Sequence, residues 1–188
     1  MASSIPFAAP SRILHWLMAA MILAMLFIGI GMVSSPGHYH RLVSIHRPLG
    51  IAILVLVALR LVNRLFNPPP PLPEDMPAPL KTVAGASHVA LYALMFAVPI
   101  IGWSMLSAGA YPIVLYGWLH LPPIVPPAPP LYAALRETHT VLAVLLFFTF
   151  LAHMGAALTH ALVFRDGVFE SMASLQAAPR RRQGRAPS

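Results

Sequence analysis

Four stretches of this chain are each long and apolar enough to cross a lipid bilayer, and nothing else in the sequence constrains its fold so strongly. A bilayer core of about 30 Å takes roughly 20 apolar residues of helix. Residues of about 11–33 ("SRILHWLMAAMILAMLFIGIGMV"), 44–66 ("SIHRPLGIAILVLVALRLVNRLF"), 84–106 ("AGASHVALYALMFAVPIIGWSML") and 135–163 meet that requirement. The fourth is long enough to project past the hydrocarbon. Composition agrees: 58% of the 188 residues are hydrophobic and 9% are charged, too little charge to cover a soluble domain of this length. The chain therefore reads as an all-α integral membrane protein. One four-helix bundle accounts for residues 1 to about 170, and a basic tail, 171–188, is expected to be disordered.

The segments between the spans are rich in proline, "NPPPPLPEDMPAP" at 67–79 and "LPPIVPPAPP" at 121–130. Proline runs favour extended polyproline conformations and cannot continue a helix, so both are read as connections. Pro99 lies inside the third span and is expected to kink it. The first span has a longer apolar core than a signal peptide and no clear small-x-small cleavage site after it, so it is expected to be a retained helix.

Charge sets the orientation. With four spans, both termini and the middle loop share a side, which holds Arg12, Arg60, Arg64, Lys81, Arg165, Arg180, Arg181, Arg182 and Arg185. The other side has only Arg41, Arg47 and Arg136. The positive-inside rule then predicts both termini in the cytoplasm. The tail "RRRQGR" is expected to meet anionic lipid. The net charge of +7 does not argue for nucleic acid, because the charges lie where topology alone would put them.

The chemistry must come from histidine. There is no cysteine, which removes disulfides, iron–sulfur clusters, thiolate chemistry and the Cys-x-x-Cys-His attachment of haem. Nine histidines remain in a very apolar chain. At about 1.5 Å of rise per residue, each can be assigned a depth. His15 lies a turn inside the cytoplasmic end of the first helix, and His46 near the outer end of the second. On the fourth helix His139 is a turn in from the outer surface, and His153 is about 21 Å further in and on the same face. By depth, His46 matches His139 and His15 matches His153.

A haem standing between helices needs an axial ligand on each side of its iron, and facing helices supply that. Coordination also removes the cost of burying an unpaired imidazole nitrogen. Two such pairs would form a transmembrane wire for single electrons. Zinc fits less well, because it wants three or four ligands converging on one point. Against this stands a simpler reading, in which each histidine hydrogen-bonds to a neighbouring helix. His160, one heptad beyond His153, falls at headgroup level, and His88 at about the depth of His15. Each is a candidate displaced ligand, quinone contact or interfacial histidine. His38, His40 and His120 fall in expected loops.

The motifs "RILHWLMA", "SIHRPLGIAILVLVALRLVNRL", "SHVALYALMFAVPIIGW" and "ETHTVLAVLLFFTFLAHMGAALTHALVFRDGVFESM" together resemble the prokaryotic cytochrome b-561 family, over roughly residues 11 to 172. The resemblance implies a bacterial inner-membrane cytochrome holding two haem b groups. By position it gives His15 and His153 to the cytoplasmic haem iron and His46 and His139 to the outer one. The subgroup resembled acts as superoxide oxidase, passing electrons from superoxide to ubiquinone. What the family implies for quinone binding maps onto His160, with Lys81 and His88 as neighbours. Arg41, Arg47 and Arg136 are candidates to pair with haem propionates or to steer superoxide, or else simply snorkel to headgroups. The outer loop between the third and fourth helices departs from the family in its richness in proline.

Three functions are thus open at this stage: a superoxide:ubiquinone oxidoreductase; a cytochrome b anchor relaying electrons between quinol and a partner dehydrogenase or hydrogenase; and a bundle without redox chemistry, such as a small transporter. The partners expected under the first two are the bilayer, a quinone, and superoxide or a redox protein.

Overall fold

The computed structural model describes residues 5–74 and 76–173. Among them are four long helices, α1 (Ala9–Ser34), α2 (Tyr39–Phe66), α3 (Ala78–Ala108) and α4 (Pro129–Thr159). All four are long and apolar enough to cross a membrane. Exposed apolar side chains such as Ile13, Phe27, Leu65 and Phe148 form the surface that lipid covers. The protein is a multi-pass membrane protein with four spans.

Every helix is longer than its apolar core. α3 opens with Pro79 in its first turn, and α4 opens on Pro129 and Pro130. The first turn of a helix has no partner for its N–H groups, so proline is tolerated there. The last two prolines of the 121–130 run therefore start a helix instead of belonging to the connection. Neither Pro48 nor Pro99 ends its helix.

The connection before α4 holds a feature not expected from sequence, a β-hairpin of β1 (Ile113–Leu115) and β2 (Leu119–Leu121). Its turn places Tyr116 and Gly117 at positive φ, a conformation that matches the twist of paired strands. Strands of three residues leave too little alternation to be read in advance. Ile113 and Leu115 are buried, while Tyr116 and Trp118 stand out at the tip. Trp103 donates its indole N–H to the Pro122 carbonyl at 3.0 Å, and the Ser107 hydroxyl accepts from Ile124 N–H at 3.1 Å. These bonds fasten the proline-rich segment to the end of α3. The structure also corrects the three histidines assigned to loops: His38 lies in a 3-10 turn (Pro36–His38), His40 in the first turn of α2, and His120 in β2.

At the other end of the bundle, α4 runs into a turn of π-helix (His160–Phe164) and then α5 (Val168–Ala173). α5 binds back to the N-terminal segment, with Phe7 N–H on the Ser171 carbonyl at 2.9 Å and the Trp16 indole on the Met172 carbonyl at 3.2 Å. Helix therefore continues to Ala173. The remainder of the basic tail, 174–188, lies outside the described residues. We call this end, with the α2–α3 connection, the tail side, and the opposite end the hairpin side.

α1 packs closely on α2 and α3 on α4, and α2 joins the two halves through α3. α4 makes no comparably close backbone approach to α1 or α2. A repeating seven-residue offset orders what lies between the helices. Seven residues return a helix to nearly the same face, with a drift of about 20°. The middle layer holds Ile22, Ile53, Met95 and Leu146, one from each helix, all buried in a single cluster. Seven residues towards the tail side stand His15, Arg60, His88 and His153. Seven residues towards the hairpin side stand Gly29, His46, Gly102 and His139. The bundle is therefore three stacked layers, apolar in the middle and polar at both ends.

Candidate functional site

In the hairpin-side layer, His46 on α2 and His139 on α4 face each other with ring centres 6.2 Å apart and planes at 69°. In the tail-side layer, His15 on α1 and His153 on α4 stand at 6.3 Å and 67°. Two imidazoles bound to opposite sides of one metal ion need a similar separation. With metal–nitrogen bonds of about 2.0 Å, as zinc–imidazole bonds have, and about 1.1 Å from each nitrogen to its ring centre, the centres fall roughly 6.2 Å apart. Each pair joins helices whose backbones do not pack closely, so the rings meet across a gap.

The polar atoms support the same arrangement. Nδ1 of His15 and Nδ1 of His46 are buried with no hydrogen-bond partner among the described residues. A buried nitrogen of this kind is costly unless something binds it. His139 is held differently. Its Nδ1 lies 3.1 Å from the Val98 carbonyl, so Nδ1–H donates there and Nε2 is left for a metal, as is usual for ligating histidines. Gly102 makes this position possible: a Cβ there would lie 3.1 Å from His139 Cε1. Gly29, across on α1, would carry a Cβ with nothing within 4 Å. The donor set, neutral imidazoles in two opposed pairs, suits haem iron. No group of three or more His, Cys, Asp or Glu that could hold a bare metal ion occurs among the described residues.

Of the candidate quinone contacts, His88 packs against His153 with ring centres 5.5 Å apart. Lys81 donates to the Glu74 carbonyl at 3.2 Å, which ties the start of α3 to its connection. His160 has a partner the sequence reading did not name. Its Nδ1 lies 2.6 Å from Asp166 Oδ2, and Asp166 Oδ1 accepts from Val168 N–H at 3.2 Å, at the start of α5. The π-helical turn and Arg165, at φ 51°, fold the chain back so that six residues separate the pair in sequence yet put them in contact. Such π segments often mark functional positions. The candidate site residues thus do not gather at one point by direct hydrogen bonds. Of the hairpin-side arginines, Arg41 and Arg136 are exposed. Arg47 is half-buried beside His46, and its Nε has no hydrogen-bond partner among the described residues.

Four apolar spans with opposed imidazole pairs at two levels make a membrane protein whose side chains fit an iron porphyrin between its helices. Comparison with known proteins gives the family. Residues 7–174 match the family described as prokaryotic cytochrome b561, and the chain belongs to that family. It is a membrane cytochrome b, an electron carrier whose family implies haem b. It is 31% identical over 166 residues to cytochrome b561 homolog 2 of Escherichia coli (strain K12), covering 86% of this chain and 88% of that one. It is 34% identical over 131 residues to the probable superoxide oxidase CybB of Yersinia pestis, covering 68% of this chain and 72% of that one. Cytochrome b561 homolog 1 of Escherichia coli (strain K12) is 27% identical over 137 residues, 73% of this chain and 74% of its own.

Proposed function

We propose that this chain is a di-haem cytochrome that takes electrons from superoxide on the hairpin side and delivers them to ubiquinone on the tail side. In this reading His46 and His139 hold one haem and His15 and His153 the other. The observation that carries it is the repeated pair spacing of 6.2 and 6.3 Å at two levels of one bundle. The superoxide substrate is supported by likeness to a protein named as a probable superoxide oxidase. The positive-inside rule puts the hairpin side outside and both termini in the cytoplasm of a bacterial inner membrane.

A bound haem supplies reversible one-electron exchange at its iron. The chain's own residues do the rest. Each superoxide loses one electron and leaves as dioxygen; two electrons and two protons convert one ubiquinone to ubiquinol. Arg41 and Arg136 present positive charge to an anionic substrate on the hairpin side, which raises the encounter rate at low salt. Ile22, Ile53, Met95 and Leu146 fill the level between the two pairs and keep water and protons out. On the tail side, His160 Nδ1–H donates to Asp166; when Nε2 takes up a second proton from water, the imidazolium donates Nε2–H to a quinone oxygen and passes that proton on, Asp166 balancing the charge. Asp166 fixes that ring orientation, the usual role of a carboxylate behind a working imidazole.

The test is rapid mixing of the purified cytochrome with superoxide. The reading expects reduction of the pigment at near-encounter rates, slowed by salt as the arginines are screened. No reduction, with haem present, overturns the superoxide assignment. The relative matched over 86% of this chain is named simply as a cytochrome b561 homolog, which favours one second reading. In it the same wire relays electrons between quinol and a partner dehydrogenase or hydrogenase. A stoichiometric enzyme partner recovered from native membranes would select it.

A further inference from the structure

The tail-side layer contains three histidines and one cation, and among the described residues the cation has no carboxylate counter-charge. Arg60 stands fourteen residues after His46 on α2, the same offset that separates His139 from His153 on α4. The buried Ile53 and Leu146 mark the two midpoints. By register Arg60 therefore faces the gap at the level of His15 and His153. It lies within electrostatic reach of His15, His88 and His153.

Its contacts are neutral. Arg60 Nε donates to the Tyr92 hydroxyl at 3.1 Å, and its guanidinium carbon lies 5.8 Å from the Tyr92 ring centre. Arg64, one turn on, lies 5.9 Å from the same ring. Among the described residues the one ion pair joins His160 and Asp166; neither arginine has a carboxylate partner. Like charges four residues apart on a helix repel, and a cation in a membrane bundle is costly without a partner. Two guanidiniums converging on one tyrosine are the arrangement of an anion clamp.

The clamp opens on a small cavity. Arg60, Arg64 and Tyr92 line it together with Ser11, Asn63 and Asn67. Its polar wall is braced, with Asn63 Nδ2 on Ser11 Oγ at 2.8 Å and Asn67 Nδ2 on Asn63 Oδ1 at 3.0 Å. The space measures about 30 Å³. One water-sized atom takes about 10–15 Å³ on the same measure, so the cavity has room for the two oxygens of a carboxylate. Ser11 is one turn from His15, about 6 Å along α1 towards the tail side.

We propose that Arg60, with Arg64 and Tyr92, binds a propionate carboxylate of the tail-side haem. This rests on the di-haem reading and adds the charge that holds and tunes one of the two haems. A guanidinium is suited to the task because its forked donors match a carboxylate. A positive charge near the iron favours the reduced state, so the clamp raises the potential of that haem relative to its neighbour.

The experiment is a redox titration of the purified holo-cytochrome, wild type against Arg60→Gln, with infrared difference spectra of oxidised and reduced protein. The expected result is a downward shift in the midpoint of one haem, the other unmoved, and altered carboxylate bands in the difference spectrum. Arg60→Lys should recover part of the shift. If Arg60→Gln fails to assemble, Arg64→Gln and Tyr92→Phe should each give a smaller shift of the same haem. Unchanged midpoints and carboxylate bands with both haems retained overturn the clamp and leave the di-haem reading standing. So does loss of a co-purifying anionic lipid with unmoved midpoints, which would assign the cavity to a headgroup. A wild-type protein without haem overturns the di-haem reading itself.

Discussion

The two polar layers of this bundle share a pair of opposed imidazoles and differ in almost everything around them. On the hairpin side the layer is spare. Glycines fill the positions on α1 and α3, and His139 is fixed by one backbone carbonyl. On the tail side the two positions not taken by the pair, on α2 and α3, carry Arg60 and His88, and the Arg64–Tyr92 cluster and His160–Asp166 dyad lie beyond them. A layer that only accepts an electron needs an iron site and access. A layer that hands electrons to a quinone must also supply protons and balance charge. Under the proposed function, this asymmetry is what electron flow from the hairpin side to the tail side would require.

The largest expected effects come from removing ligands. His15→Ala or His153→Ala should take bound haem from two per chain to about one, measured by pyridine haemochrome, and so should His46→Ala or His139→Ala. The haem that remains should differ between the two sets of variants in midpoint and band position. If His88→Ala loses a haem and His15→Ala does not, the tail-side pair has been misassigned. Next in size is the proton-handling end. His160→Ala should slow quinone reduction by about 100-fold, the typical worth of a positioned proton donor, with haem content unchanged. Asp166→Asn should slow it by about tenfold, with little change in KM for quinone. An equal loss in superoxide-driven haem reduction, before any quinone is added, would place the dyad elsewhere in the mechanism.

A smaller effect is expected from steering. Neutralising Arg41 and Arg136 together should lower the superoxide reaction a few-fold at low ionic strength and very little at high salt. The smallest belongs to Gly102. In Gly102→Ala the new methyl presses on His139 and the ring must yield by a few tenths of an ångström. The hairpin-side haem should stay bound with a shifted midpoint, while the tail-side haem is unmoved. A shift in both would mean the middle layer transmits strain.

The spans were legible because a bilayer demands long apolar runs, and depth could be counted along them at a fixed rise. The same counting applied to histidines matched His15 with His153 and His46 with His139. The same count places Arg60, fourteen residues after His46, level with the tail-side histidines, a role that its membership of the charge pattern setting topology hides. Other features had no such signal. Asp166 meets His160 only because a π turn and a left-handed Arg165 reverse the chain. The hairpin has strands too short to alternate, and the start of α4 was hidden by prolines that a first turn accepts. Periodic features could be read from the sequence; those that depend on one local reversal could not.

The account is tested most directly by an anaerobic redox titration of the purified wild-type protein, followed by its visible spectrum and its electron paramagnetic resonance. Two one-electron b-type components, both with low-spin bis-histidine signatures, are predicted for each chain. A colourless protein, a single haem, or a high-spin iron with one open position would contradict it.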